Sequence, residues 1–254
     1  MAKTGQPSTA RVASAQRSLA ILDVLADEPT LGTNEIARRL GTSASTTSRQ
    51  LATLVEAGLV EHVPVTGRYR LGIRLVALAT SVLARLDVRA IAHPHLEALA
   101  ADLGETATLS VPADPDAITV DVVRSPRYIA DGSRLGRPSI AHASAAGKVM
   151  LAFDGRRGAR ELQAYTPRTI TDPDDLEAEV ERVRKRGWAE AFEERELGLN
   201  AIAAPVWSSD GALAGIIALQ GPIPRFGKAA ARAALPSLRE HAAAISSELG
   251  SQSR

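Results

Sequence analysis

The sequence predicts an α+β protein of two domains, and two observations carry that prediction. Leu31–Gly72 reads "LGTNEIARRLGTSASTTSRQLATLVEAGLVEHVPVTGRYRLG": a short helix, a turn, a second helix and a compact hairpin with basic tips. Past Gly104, short apolar runs of strand character are flanked by helices at both ends, the pattern of an α+β domain. A chain of 254 residues with 45% hydrophobic content accommodates both domains and their cores. The first pattern has the order of a winged helix-turn-helix, a module that sets one helix in the DNA major groove with a wing beside it.

The elements follow in order. Residues 1–13, rich in Ala, Thr, Ser, Gly and Gln, read as a disordered tail. Ser14–Ala26 reads as a helix capped by Ser14, with Leu19, Leu22, Val24 and Leu25 as its packed stripe. Thr33 and Asn34 are good caps for the next helix, whose Ile36, Ala37 and Leu40 share a face while Arg38 and Arg39 point away. Gly41 ends it and Thr42 or Ser43 caps the following one. There Thr47, Leu51, Leu54 and Val55 recur at i, i+4, i+7 and i+8 and should pack inward. Ser45, Ser48 and Arg49 should face outward, a small polar surface suited to phosphates and base edges. Gly58 closes that helix. Leu59–Val63 and Arg68–Leu71 then form a hairpin whose Arg68 and Arg70, with Arg74 close behind, can clamp a phosphate backbone.

Residues 14–73 thus form the winged domain, and 74–87 a linker helix with Ile73, Val76, Ala77, Thr80, Leu83 and Ala84 on one face. Residues 88–250 form the second domain. Asp87 caps a helix to about Leu103, bent near Pro94. Glu105–Val111, Ala117–Arg124 and Tyr128–Arg134 read as strands, and Ala143–Phe153 as a small-residue helix. The Thr171-Asp-Pro-Asp-Asp start has an oxygen cap, an early proline and acidic residues at the positive dipole end; its helix ends at Gly187. Trp188–Glu194, Ala201–Ser208 and Ala212–Gln220 are strands, the last two joined at Asp210-Gly211. Lys228–Leu249 closes the chain as a helix restarted at Pro236.

Charge and composition narrow the function. Residues 1–74 carry nine basic side chains against six acidic ones, a net of +3, while the rest of the chain nets −2. That modest asymmetry supports nucleic-acid binding by the first domain. The chain has 0 cysteines, which excludes disulfides, thiolate zinc sites and cysteine nucleophiles. A polar start with no apolar stretch or small-residue cleavage pattern argues against a secretory signal, and no apolar run approaches the ~20 residues of a membrane span. A cytoplasmic protein is expected.

An enzymatic reading has few footholds. Ser144 and Lys148 stand at i, i+4 in "AHASAAGK", as in Ser–Lys nucleophile pairs, but no elbow or second motif accompanies them. A capping role is the simpler expectation. "SAAGK" lacks the first glycine and the final Ser/Thr of a phosphate loop. His93 and His95 are two apart, on different helix faces, and no cluster has metal spacing. No cofactor or metal is expected. Glu193, Arg195, Glu194 and Glu196 read as a solvated charge run; at most Glu193 or Glu194 lines a ligand site. A metabolite-binding module or small-molecule enzyme with a degenerate winged domain stays open as the alternative. Salt-dependent DNA binding separates the two.

The stretches "SLAILDVLA", "NEIARRLG", "STTSRQLATLVEAGLV", "GRYRLG", "HPHLEALAADLGETATLSV", "SIAHASAAGKVMLAF", "YTPRTITDPDDLEAEVERVRKRGWA", "GLNAIAAPV" and "LQGP" together resemble the isocitrate lyase regulator (IclR) family of bacterial transcription factors over nearly the whole chain. The resemblance implies a one-component regulator, with repressors and activators both known and a repressor expected here. Its winged domain would dimerise on a pseudo-palindromic operator. A linker helix would lead to a GAF-like α+β domain that binds a small effector, in a dimer or a dimer of dimers. It implies DNA contacts from Arg38, Ser43, Ser45, Thr46, Ser48, Arg49, Arg68 and Arg70. A lysine and a histidine common in the recognition helix are replaced by Ala44 and Ser48. The effector site maps to Ala145, Ala146, Ala191, Asn200, Ala201, Ala218 and Gln220. Family members that bind small carboxylates present amides at Ala145 and Ala146 and often carry Asp, Cys and two Ser at positions matching Ala191, Ala201, Ala218 and Gln220. With three polar groups lost, the expected effector is larger and less polar than glyoxylate or pyruvate.

Overall fold

A computed structural model describes residues 12–83, 87–125, 135–155 and 161–251. The chain divides into two compact units, Met1–Arg85 and Leu86–Arg254.

The first unit holds α1 (Ala13–Ala26), α2 (Thr33–Arg39), α3 (Ala44–Glu56), the antiparallel pair β1 (Val60–Val63) and β2 (Arg68–Leu71), and α4 (Arg74–Leu83). Its core is Ile21, Leu25, Leu31, Ile36, Leu51, Leu54 and Val60. Ile21 and Leu25 stand four apart and form the buried stripe of α1, whereas the expected Leu19 is 59% exposed. Val55 is likewise exposed: the inward face of α3 runs Thr47, Gln50, Leu51, Leu54, and Val55 lies beyond its edge. The expected caps shift by a residue or two. Val12 precedes α1 with no side-chain cap, so Ser14 lies inside the helix and Ala13 belongs to it rather than to a tail. Gly32 precedes α2, so Thr33 opens its first turn. Ser43 does cap α3, its Oγ accepting from the Thr46 amide. Gly41 and Gly58 both take left-handed φ at the helix ends, as a turn there requires. The expected tail over 1–11 lies outside the described residues.

The second unit contains α5 (Asp87–Leu103), β3 (Thr106–Val111), β4 (Ala117–Val123), β5 (Pro138–Ser139), α6 (Ala145–Phe153), α7 (Pro173–Arg186), β6 (Ala189–Phe192), β7 (Leu199–Trp207), β8 (Leu213–Pro222) and α8 (Lys228–Glu248). The strands form one antiparallel sheet in the order β5-β4-β3-β8-β7-β6. Helices α5 and α8 pack together on one face; α6 packs on the other with α7 against it. Asp172 caps α7 by accepting from the Asp174 and Asp175 amides, and Gly187 ends it with φ of 78°. α5 and α8 run unbroken through Pro94 and Pro236. Each proline removes one amide, but buried Ala92 and Leu96 flank Pro94, and buried Ala234 and Leu238 flank Pro236, so both sides of each helix are held to the core. The short β5 is not evident in the sequence, and the expected strand Tyr128–Arg134 lies outside the described residues. Together this is the predicted α+β architecture.

Candidate functional site

The first candidate surface is the outer face of α3 with its surroundings. Ser43, Ser45, Ser48 and Arg49 are exposed there and Thr46 is half-buried. Ser43 Oγ lies 2.9 Å from Thr46 Oγ1 and 3.1 Å from Ser45 Oγ, so three hydroxyls cluster at the N-terminus of the helix. Beneath them Thr42 and Thr47 hydroxyls meet at 2.8 Å. Gln50, whose inward role the sequence reading missed, reaches back to the Ser14 carbonyl at 3.5 Å and ties α3 to α1. Arg38 on α2 and Arg49 on α3 are exposed, and among the described residues neither has an acidic partner. The wing differs. Arg68 bonds to Thr30 Oγ1 and O at 3.1 and 2.9 Å and to Glu35 at 3.1 Å, so it clasps the hairpin onto the helices. Arg70 pairs with Glu61 at 2.8 Å and holds that carboxyl below the usual range by its hydrogen bond and charge. Arg74 bonds the Ala57 carbonyl at 2.6 Å. Acidic partners thus already occupy Arg68 and Arg70, whereas Arg38, Arg49 and Arg74 have none among the described residues.

The second site is a cleft between the sheet and the N-terminus of α6, with about 700 Å³ of atom-free space including its open mouth. Ala145, Ala146, Ala191, Ala201, Ala218 and Gln220 all line it, six of the seven positions implied by the resemblance. Strand register explains the convergence. Ala191 pairs with Ala201, Ala201 with Gln220, and Ala218 with Ala203, so their side chains share one face of neighbouring strands. Small side chains there leave the face hollow. Asn200 is the correction. As the neighbour of Ala201 on β7 it points to the opposite face, where it is buried and donates to the Phe226 carbonyl at 2.8 Å.

At the α6 end, Ser144 Oγ donates to the Ile140 carbonyl at 2.9 Å and accepts from the Gly147 amide at 3.0 Å. The Lys148 amide bonds Ser144 O, so the Ala145 and Ala146 amides are the ones with no acceptor inside the helix. Arg137 and Arg195 line the same cleft; Arg195 stacks 3.9 Å above the Tyr165 ring, and Arg137 stands 3.8 Å from Glu196. This end can hold an anion. Lys148 turns away from Ser144. It is 1% exposed, and its Nζ bonds Glu194 at 2.7 Å and the Glu190 carbonyl at 3.0 Å, with Glu179 at 3.9 Å. Burial raises the Glu194 pKa, opposed by Lys148 and the Phe192 amide and helped by Glu179. Glu194 therefore lines the cleft as part of a charge network, not of a solvated run. Ser144 is a cap and Lys148 an ion-pair partner, so the Ser–Lys pair is not assembled. His93 faces Asp121 at 2.8 Å, while His95 faces His241 at 2.9 Å and Glu248 at 3.0 Å. Thr108, Thr119 and Ser139, on β3, β4 and β5, also line the cleft. The sequence reading missed them; the alternation of Thr and Ser along Thr106–Ser110 was the available signal.

A winged helix-turn-helix with a polar helix face, carried on one chain with a cleft-bearing α+β domain, defines a DNA-binding transcriptional regulator. Residues 14–64 match the model of the IclR helix-turn-helix domain, and residues 80–247 match that of the bacterial transcriptional regulator IclR C-terminal domain. The chain is 34% identical over 246 residues to the glycerol operon regulatory protein of Streptomyces griseus, covering 94% of this chain and 97% of that one. It is 31% identical over 229 residues to the transcriptional repressor IclR of Escherichia coli, covering 87% and 84%. The crystal structure of the Thermotoga maritima IclR superposes with a TM-score of 0.69 at 30% identity, covering 93% of this chain and 98% of that one. The chain belongs to the IclR family of bacterial transcriptional regulators, and it is a regulator rather than an enzyme.

Proposed function

We propose that this regulator is a repressor of a catabolic or metabolic operon, released or tightened by an organic acid bound in the α6 cleft. The observation that carries this reading is the cleft itself: free amides at Ala145 and Ala146 and two arginines face a sheet wall of Ala191, Ala201 and Ala218. Amides and guanidinium groups suit a carboxylate. The alanine wall suits hydrocarbon, so the effector is larger and less polar than glyoxylate. A tight complex with a two-carbon acid, seen by calorimetry, overturns that point.

On DNA, Ser43, Ser45, Thr46, Ser48 and Arg49 contact the operator, with Arg38 flanking. Arg68 and Arg70 engage phosphates only by exchanging Glu35 and Glu61 for them. The regulator acts in the cytoplasm as a dimer or dimer of dimers on a pseudo-palindromic operator. Effector binding shifts the spacing of two recognition helices away from the ~34 Å of one helical turn. Only a difference in effector affinity between the two arrangements can drive this. The test is a gel-shift titration on the upstream intergenic DNA at two salt concentrations, with and without candidate acids. Specific, salt-sensitive binding that an acid changes is expected. Specific binding that no acid alters, with no change in assembly state or polymerase recruitment, removes the effector scheme.

A further inference from the structure

We propose that the groove between the C-terminal end of α7, the edge of β7 and α8 is a second ligand site, for an anion with a flat aromatic body, acting on α6 from the end opposite the cleft. The proposal does not rest on the acid reading of the cleft. The groove holds about 1290 Å³ of atom-free space including its open mouth. Strand lengths create it. β6 pairs with β7 only as far as Ala189 with Ala203, so among the described residues Ala204–Trp207 runs on with no strand at that edge. The Trp207 amide donates instead to Ser246 Oγ on α8 at 2.9 Å. Ala204, Pro205, Trp207 and Phe153 line the hollow, and the Phe153 and Trp207 rings meet edge to face at 5.2 Å.

Its charge is one-sided. Arg184, Lys185, Arg186 and Arg239 line the groove and, among the described residues, no acidic side chain does, although residues 75–254 net −2. A low-dielectric hollow lined by one sign of charge concentrates the opposite ion. Two of these cations are already committed. Arg184 Nε donates to the Ala152 carbonyl at 2.9 Å, and Arg186 donates to the Trp188 carbonyl at 2.7 Å and to Glu179 at 3.0 Å. Lys185 and Arg239 are exposed and have no acidic partner among the described residues. They are the charges a guest can take, and the aromatic pair with Pro205 suits its flat apolar body. The groove and the cleft meet on α6: Ala145 and Ala146 at its start line the cleft, and Phe153, its last residue, lines the groove. A chain of ion pairs joins them again. Arg186 pairs with Glu179, Glu179 lies 3.9 Å from Lys148, and Lys148 bonds Glu194 of the cleft at 2.7 Å. An anion that draws Arg186 from Glu179 leaves that carboxylate to compete with Glu194 for Lys148.

The experiment titrates the full chain with naphthyl phosphate, naphthol and inorganic phosphate by calorimetry. Naphthyl phosphate is expected to bind at least about tenfold more tightly than either control, since only it meets both the cations and the rings. Two variants at exposed positions, which spare the core, locate it. Lys185→Gln/Arg239→Gln removes the free charges, and Ala243→Trp, on the α8 wall, fills the hollow. Each should weaken naphthyl phosphate about tenfold or more. No binding, equal binding of either control, or an affinity that both variants retain overturns the site; the last would place the anion elsewhere, the α6 cleft included. A smaller assembly of Ala243→Trp in light scattering also overturns it, because a second copy of the chain then covers the groove. In gel shifts, naphthyl phosphate should change the operator affinity of the wild type at least about fivefold and leave that of Ala243→Trp unchanged. Binding without that change overturns the action on α6.

Discussion

Lys148 shows what one buried charge does in this fold. Its ammonium bonds Glu194 and lies near Glu179, with a side chain that is 2% exposed. Lys148→Met would strand two carboxylates, and breaking a buried pair by removing one partner costs about 3–5 kcal/mol. Denaturant unfolding at pH 7 should show a loss of that order. Because burial already raises the Glu194 pKa, acid should neutralise it readily once the lysine is gone, so the deficit should shrink as pH falls towards 5. A deficit independent of pH would mean that Glu194 is ionised throughout. At the other end of the chain, Arg49 is exposed with no acidic partner among the described residues. Arg49→Ala should weaken operator binding about tenfold and reduce the salt slope by about one per recognition helix, with effector binding intact. Unchanged operator affinity in gel shifts would remove Arg49 from the contact surface. The polar face around Arg49 was legible in the sequence, since helical period and caps suffice to place it. The engagement of Arg68 with Thr30 and Glu35 was not, because those partners are 38 and 33 residues away.

Among the elements, the start of α6 depends on Gly147. A Cβ there would overlap the Ile140 carbonyl oxygen and sit 2.6 Å from the Ala141 Cα. Backbone cannot yield as a flexible side chain can, so Gly147→Ala should displace the 140–144 turn and with it the amide end of the cleft. A reduced Tm and loss of acid binding are expected, with operator affinity in the absence of effector retained. α5 and α8 meet at a pair of histidines. His95 Nδ1 lies 2.9 Å from His241 Nδ1, and Glu248, Glu240 and Asp102 are the acidic groups nearby. Burial, then the His95 charge, lowers the His241 pKa below 6.5. The unfolded chain therefore binds more protons here, and this contact's stability should rise as pH climbs through the folded pKa to about 6.5, then level off. Thermal unfolding from pH 5 to 7.5 should show that rise, and His241→Gln should flatten it. A pH profile identical in the variant would exclude the pair as its source. The sequence placed both helices correctly, but helical period alone says nothing of which histidines meet.

For the whole molecule, the requirement is linkage. If an acid in the cleft changes operator affinity by some factor, operator DNA must change acid affinity by the same factor, typically about 5–150-fold. Calorimetric titration of the acid into free regulator and into the regulator–operator complex measures this directly. A factor seen in the gel shift but missing from the calorimetry would mean that the acid acts elsewhere, for instance on assembly at the concentrations used.

The sequence by itself determined the α+β class and the winged module, because helical and strand periods, caps and turns are local properties of the chain; the family followed from the resemblance of its stretches, taken in order. Six of the seven positions offered by the resemblance for the effector site line the cleft; the seventh, Asn200, stood outside the strand read from Ala201 onward but lies inside β7 and faces away from the cleft. Only the tertiary structure decided which groups meet: Lys148 with Glu194, Arg70 with Glu61, and Ser110 with Thr119 and Ser139. The separations run from 9 residues across a hairpin, for Arg70 with Glu61, to 46, for Lys148 with Glu194. The geometry of these contacts follows from sheet register and helix packing, which no local pattern of residues encodes.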